Sequence, residues 1–353
     1  MLKFVRNNLK FIVAVVTCIT ATSVSAQDPH FTQFYGTPLH MNPAMTGVFD
    51  GTFRLSNNYR TQWSGLGGGY KTIHISADAP IAKGELGSNY FGVGFLLYQD
   101  KAGTAGFRST IIEGSLSYTA ALDPEKSNYI SLGFQAGLNQ QSLDLSKATW
   151  DSQWNGDAFD PALPSRESIQ LQQFSYLDLN AGFMYFHVPD EFNSFSFGAA
   201  MHHIGSPNVS FFSEGEAPLR RRITVNTGAE ISLNKENMTW LIPKAYFMLQ
   251  GKQKEIMFGG FVKNKIQFKS RYTNYKKEAY FYLGGFYRWD DAIALAARVE
   301  YNMFGLGLSY DINTSYLSSL TGSSSAFEIN LSYIAYVKRG QRAKHFSKTP
   351  RFF

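Results

Sequence analysis

The chain has 353 residues, 33 Lys and Arg against 27 Asp and Glu, 31 glycines, and aromatics at 16%. Three of the bases and none of the acids lie within residues 1–26; the rest balances 30 against 27, an excess too small to point to nucleic acid. The only cysteine, Cys18, also lies there, which excludes a disulfide framework or thiolate chemistry in anything that begins after it.

The opening residues read as a targeting signal. Lys3, Arg6 and Lys10 supply a basic start, Phe11 to Val16 lead an apolar core, and Val24-Ser25-Ala26 offers the small-residue cleavage site. The apolar run is too short to span a bilayer as a helix. A lipoprotein signal using Cys18 is the rival, and Thr17 fits it poorly. The expectation is a signal peptide over 1–26 and a mature chain exported from the cytoplasm.

Residues 27–49 follow, containing QDPHFTQFYGTPLHMNPAMTG, with neither helical nor strand period. Pro29, Pro38 and Pro43 deny it regular pairing, while Gly36 and Gly47 permit turns. Phe31, Phe34, Tyr35, Leu39, Met41, Pro43 and Met45 form an apolar surface that needs covering. Two readings stand: a plug or periplasmic lid packed in a lumen, or a periplasmic tether ordered by a partner.

From residue 50 to 338 the pattern changes to strict alternation. Ile223, Val225, Thr227, Ala229 and Ile231 interleave with Thr224, Asn226, Gly228 and Glu230, and Leu306, Leu308 and Tyr310 with Gly307, Ser309 and Asp311. Fourteen such runs are predicted, near 51–60, 70–79, 90–99, 108–120, 129–141, 174–187, 194–204, 222–233, 239–250, 254–263, 278–288, 292–301, 304–312 and 326–337. Each is about ten residues, the length a tilted strand needs to cross a bilayer, and the number is even. Short turns such as 188–193 alternate with longer loops at 143–173 and 205–221, as in an outer-membrane barrel. The region 251–278 fits least well: either a strand is misplaced, or Ile266–Tyr272 extends one beyond the membrane.

Alternating strands also build soluble sandwiches. Here the polar face carries Glu113, Asp178, Asn180, Glu230, Arg298 and Glu300 among glycines, which suits a lumen better than a lysine-rich exterior. Tyr118, Tyr129, Tyr185, Phe186, Tyr246, Phe247, Tyr287, Trp289 and Tyr336 near strand ends are expected to form interface girdles. The fold expected is all-β: a transmembrane antiparallel up-and-down barrel of about 14 strands in the outer membrane of a Gram-negative bacterium. Residues 339–353 would then be a periplasmic tail.

The order of segments resembles the PorP/SprF family of type IX secretion-system outer-membrane proteins. The opening segment, NYRTQW at 58–63, LGFQAGLNQQSLDLSKATWDSQWNGDAFDP at 132–161, MHHIGSPNVSFF at 201–212, LRRRITVNTGAE at 219–230 and FGLGLSYDIN at 304–313 carry the resemblance. The terminal KTPRFF resembles the family's C-P-R-F, with Thr349 in the place of the cysteine. The resemblance implies a barrel that assists secretion and surface anchoring of a large protein with a C-terminal sorting domain, such as a gliding or adhesion adhesin. It also implies contact with other secretion components: a periplasmic ring, a peptidoglycan-binding lipoprotein and the translocon. The competing class is a passive channel or hydrophobic-substrate transporter.

No enzymatic constellation is expected, and no cofactor or metal. Tyr59 with Arg60, and His202 with His203, should face opposite sides of their strands. Asp151, Asp157 and Asp160 depart from calcium-loop spacing and read as a solvated loop. Candidate partner-binding residues are Trp150, Trp154, Phe159, Phe211 and Phe212, large apolar groups placed in external loops, with the acidic Asp151 among them. The alternative is that these aromatics fold back over the barrel mouth as their own small core.

Overall fold

The computed structural model describes residues 28, 30–63, 68–83, 86, 88–104, 106–144, 148–160, 162–166, 172–212, 215–234, 236, 238–268, 277–315 and 324–336. The expected signal peptide and the tail at 339–353 lie outside these residues.

Fourteen strands run in chain order. The first seven are β1 (Phe53–Gln62), β2 (Tyr70–Ile81), β3 (Tyr90–Ala102), β4 (Phe107–Ala121), β5 (Asn128–Ser142), β6 (Gln173–His187) and β7 (Ser194–His202). The others are β8 (Arg222–Ser232), β9 (Thr239–Gln250), β10 (Gln253–Gln267), β11 (Ala279–Arg288), β12 (Ala292–Tyr301), β13 (Phe304–Asn313) and β14 (Ser324–Ala335). Each pairs antiparallel with its sequence neighbours, and β1 closes on β14 from Phe53↔Ala335 to Gln62↔Ala326, so no edge is left unpaired.

The fourteen strands fall on the fourteen alternating runs of the sequence. At 251–278 no strand is misplaced: Gly251-Lys252 is a tight turn with Gly251 at φ 60°, and β10 continues to Gln267, into the first residues of the expected Ile266–Tyr272 extension, of which 269–272 lie outside the described residues. Pro243, which has no N–H to donate, sits where the β8–β9 ladder breaks between Gly228↔Lys244 and Ile231↔Leu241.

Side chains alternate as the period requires. In β13 Leu306, Leu308 and Tyr310 face outward and are exposed, while Ser309 and Asp311 are buried inside. The outward set is a band of Leu, Ile, Val and Phe suited to hydrocarbon. The girdle expectation needs correcting: Tyr129, Phe186 and Tyr246 are buried in the lumen, because they stand on the inward parity of β5, β6 and β9. Tyr118, Trp289 and Tyr336 are exposed as expected. Strands β1, β3, β5, β7, β9, β11 and β13 all finish at one end of the barrel, and the longest connections in sequence, β5 to β6 and β7 to β8, leave from it. That end has the two longest loops and is the external one by the asymmetry of outer-membrane barrels.

Candidate functional site

A barrel of fourteen strands is too wide for its own side chains to fill. Here the space is taken by residues 30–49, built of a 3₁₀ turn at Phe34–Gly36, one helical turn at Pro38–Met41 and a second 3₁₀ turn at Pro43–Met45. The prolines start two of these turns, and Asn42 caps the last by accepting from Ala44 N at 2.9 Å. The segment runs from the external end, where Asp28 meets His203, Arg222 and Gln250, down to Gly51 beside Ile334 at the start of β1. Phe31, Phe34, Tyr35, Met41 and Pro43, singled out in the sequence, are all buried. Phe34 stacks on Tyr246 and Tyr35 on Phe286, so this half of the lumen is an aromatic core. Each such side chain withdrawn from water contributes about 1.5–3 kcal/mol.

Polar contacts fix the segment's register. Thr32 N and Gln33 N donate to the two oxygens of Glu328 at 2.6 and 2.8 Å, and Glu328 is also held by Arg60. The Thr32 hydroxyl donates to Asp311 at 2.7 Å and accepts from Arg288 at 2.6 Å. Lower down, Gly47 N donates to Asp78 at 2.7 Å, and Asp78 forms a two-pronged pair with Arg54. Asn42 donates to Phe183 O and Ala199 O, Gln135 to Leu39 O, Ser131 to Ala44 O and Thr224 to Met41 O. Buried pairs of this kind add little net stability but are strongly destabilising when one partner is removed, so they specify a single placement.

At the external end a clamp joins the segment to the wall. His203 Nε2 lies 2.6 Å from Asp28 and Nδ1 lies 2.6 Å from Asp178. Burial opposes the charge on His203, but the carboxylates of Asp28 and Asp178 outweigh it and push the imidazole up to about 9. Burial likewise opposes ionisation of Asp28, yet His203 and Arg222 hold its carboxyl well below the usual range. His202 and His203 were expected on opposite faces; both are buried, because His203 leaves β7 at φ 58° and turns inward. Tyr59 and Arg60 do face opposite sides, with only Arg60 in the lumen.

Wall glycines explain how the segment fits. A Cβ at Gly133 would stand 2.2 Å from Ala44 N, one at Gly92 2.1 Å from Thr46 O, and one at Gly182 2.0 Å from Asn42 Oδ1. The lumen is therefore shaped around the segment's backbone. Below it, toward the periplasmic end, a cavity of about 220 Å³ remains, lined by Glu230, Lys263, Tyr280, Tyr282, Arg298 and Glu300 among others.

The external loops form the second part of the site. Residues 153–160 fold as a small hairpin: Trp154 and Phe159 form a bridge, their rings 5.2 Å apart, and Gln153 O accepts from Asp160 N at 2.8 Å. Trp154 is 48% and Phe159 50% exposed, while Trp150 is half-buried and Asp151 exposed. Phe211 instead packs on Phe174 at 4.8 Å and near Phe107, leaving Phe212 exposed on loop 203–221. No ring contact joins the two loops among the described residues. Asp151, Asp157 and Asp160 are solvent-facing or capping, and no cluster of three metal-ligating side chains occurs among the described residues.

The sequence profile of the type IX secretion system membrane protein PorP/SprF matches residues 23–333. The chain belongs to the PorP/SprF family. As a family member with a closed fourteen-strand barrel, it is an outer-membrane component of type IX secretion. A search of curated proteins found no match. Among solved structures, this PorP/SprF barrel is similar to the Pseudomonas putida toluene transporter TodX, at 10% identity over 87% of this chain and 94% of that one, TM-score 0.47. It is also similar to a Pseudomonas aeruginosa FadL homologue, at 9% identity over 83% and 92%, TM-score 0.47. BamA from Haemophilus ducreyi lacking POTRA domains 1–3 aligns at 8% identity over 80% and 70%, TM-score 0.42.

Proposed function

We propose that this PorP/SprF barrel works without catalysis, as a closed platform that assists secretion of a large cell-surface protein and anchors it at the external loops. The family role in type IX secretion supplies the context. The observation that carries the reading is the filled lumen beneath a preformed aromatic surface. Residues 30–49 occupy the barrel, so what it presents outward is its loop face, with Trp154 and Phe159 held half-exposed against each other. Rigid, partly exposed aromatics are the side chains that anchor protein interfaces, because little conformational freedom is lost when a partner covers them. A gliding or adhesion adhesin with a C-terminal sorting domain is the partner class that fits; the periplasmic ring, a peptidoglycan-binding lipoprotein and the translocon are the further contacts.

The test is affinity purification of the barrel from detergent-solubilised outer membranes. A large secreted protein recovered with the wild-type barrel, and reduced when Trp154→Ala and Phe159→Ala are combined, supports the platform. Recovery of the barrel alone, with single-channel conductance through it, favours the alternative of a passive channel or hydrophobic-substrate transporter. That alternative requires residues 30–49 to leave the lumen.

A further inference from the structure

Lys71, Lys101 and Arg108 stand side by side on the outward face of β2, β3 and β4. The register pairs Lys71 directly with Lys101, and Lys101 directly with Arg108. All three are exposed, and none makes an ion pair among the described residues. Like charges directly across a ladder repel, so such a row is unfavourable unless an anion lies over it.

Among the described residues the row itself holds no such anion; the outward carboxylate beside it, Asp144, stands two residues beyond Ser142 against Gly106, at the loop end of the row. Along the same row the neighbours are Thr61 on β1, Ser142 on β5 and Gln173 on β6, all uncharged. Asp100, the nearest carboxylate in sequence, points into the lumen, where it accepts from Thr72 at 2.6 Å. In sequence, the β1–β2 connection WSGLGGG at 63–69 and the β3–β4 connection GTAG at 103–106 contain no acid.

The row's height on the barrel identifies the anion. Ten residues before Lys101 on β3 and ten after Arg108 on β4, Phe91 and Tyr118 pair across the ladder, exposed, with rings 5.0 Å apart. Ten residues at about 3.4 Å each, tilted by about 40°, rise roughly 26 Å, which is the height of one lipid-facing apolar band. Phe91 and Tyr118 thus mark one boundary of the band and the three cations the other. Just below the cations Gln99 donates to Thr110 at 3.3 Å, and then come Ile75, Leu97 and Ile112. The cations lie at the end of the barrel with the longest loops, hence at the outer leaflet.

We propose that Lys71, Lys101 and Arg108 form a binding site for the phosphate groups of the phosphorylated glycolipid of the outer leaflet. Three adjacent cations match a multiply charged phosphate head group, which accepts several charge-assisted hydrogen bonds at once. The apolar residues below them take the acyl chains.

The test uses the full chain purified in uncharged detergent, with binding read by native mass spectrometry and barrel unfolding by heat-modifiable gel mobility. Bis-phosphorylated lipid A should bind and raise the unfolding temperature. The variant Lys71→Gln/Lys101→Gln/Arg108→Gln should bind it at least tenfold more weakly. Dephosphorylated lipid A and inorganic phosphate should bind neither protein at the same concentration. Lys101→Glu places a carboxylate between two cations, so it should unfold later than wild type without lipid and gain nothing from lipid A; it carries the test if the triple variant fails to fold. Equal lipid A binding by wild type and variants overturns the proposal. So does equal binding of phosphatidylglycerol or inorganic phosphate, which would make the row an unselective anion patch.

Discussion

Gly133→Ala should open the barrel without unfolding it. Gly133 lies on the inward face of β5, opposite Gly182 on β6 and Ser117 on β4. A Cβ there would stand 2.2 Å from Ala44 N and from Pro43 C, whereas carbon contacts are comfortable only beyond about 3.5 Å. The obstructing atoms are backbone, so no side-chain rotation relieves a shortfall of roughly 1.3 Å. The 3₁₀ turn at Pro43–Met45 must move instead, and with it go the bonds from Ser131 to Ala44 O at 2.7 Å and from Ser117 to Thr46 O at 2.6 Å. Overpacking costs about 1–3 kcal/mol, and two buried hydrogen bonds add about 1 kcal/mol each, so the segment loses roughly 3–5 kcal/mol of its hold. The ladder bonds of β5 are untouched, so heat-modifiable mobility should be unchanged. Conductance in planar bilayers should appear in Gly133→Ala and be absent from wild type. Identical, closed behaviour of both proteins would refute the claim that the wall glycines seat the segment.

Other predictions follow from the same geometry. The clamp at His203 should be pH-dependent: a raised pKa means its contribution is complete below about 6.5 and is lost as pH rises through about 9. Asp28 acts in the opposite sense, its contribution being lost only on acidification below the ordinary carboxylate range. Hydrogen-exchange protection factors of residues 30–36, which remove the intrinsic base catalysis, should accordingly fall above pH 9, and unchanged protection from pH 7 to 10 would count against the clamp. Val225→Arg or Leu306→Arg, on the lipid face, should cost about 2–4 kcal/mol in barrel assembly. Asn226→Ala, inward, should spare assembly while loosening Asn42, to which Asn226 offers an acceptor at 3.3 Å. Glu328→Ala should destabilise by about 3–5 kcal/mol, since Arg60 and two backbone N–H groups lose their acceptor; calorimetry matching wild type would contradict that.

Much of the barrel was legible because a half-buried strand writes its two environments into alternate residues. The run Ile223 to Ile231 and the glycines of 304–313 give strand, face and length without any long-range knowledge. The seat of the opening segment was not legible. Its apolar residues say that something must cover them, but Thr32 meets Glu328 and Asp311 across nearly the whole chain, and no local pattern encodes that pairing. The aromatic girdle was overdrawn because a lumen holding Phe34 and Tyr35 needs inward aromatics too, such as Tyr246 and Phe286. Parity along each strand, rather than nearness to its end, separates the two groups. The clamp escaped notice because His203 lies one residue past β7, where a positive φ overrides the alternation. In the loops, the sequence identified Trp154 and Phe159 as prominent, while their mutual packing depends on the 153–160 turn closing.

The most direct measurement of the central claim is the amount of secreted partner on the cell surface, normalised to folded barrel in the outer membrane. The comparison is between wild type and a variant combining Trp154→Ala with Phe159→Ala, two exposed residues whose truncation leaves the strands and the luminal segment intact. Loss of a well-packed aromatic anchor commonly costs about 2 kcal/mol or more of binding. Surface display should therefore fall several-fold or more at equal barrel abundance. Undiminished display in the variant would contradict docking at this loop.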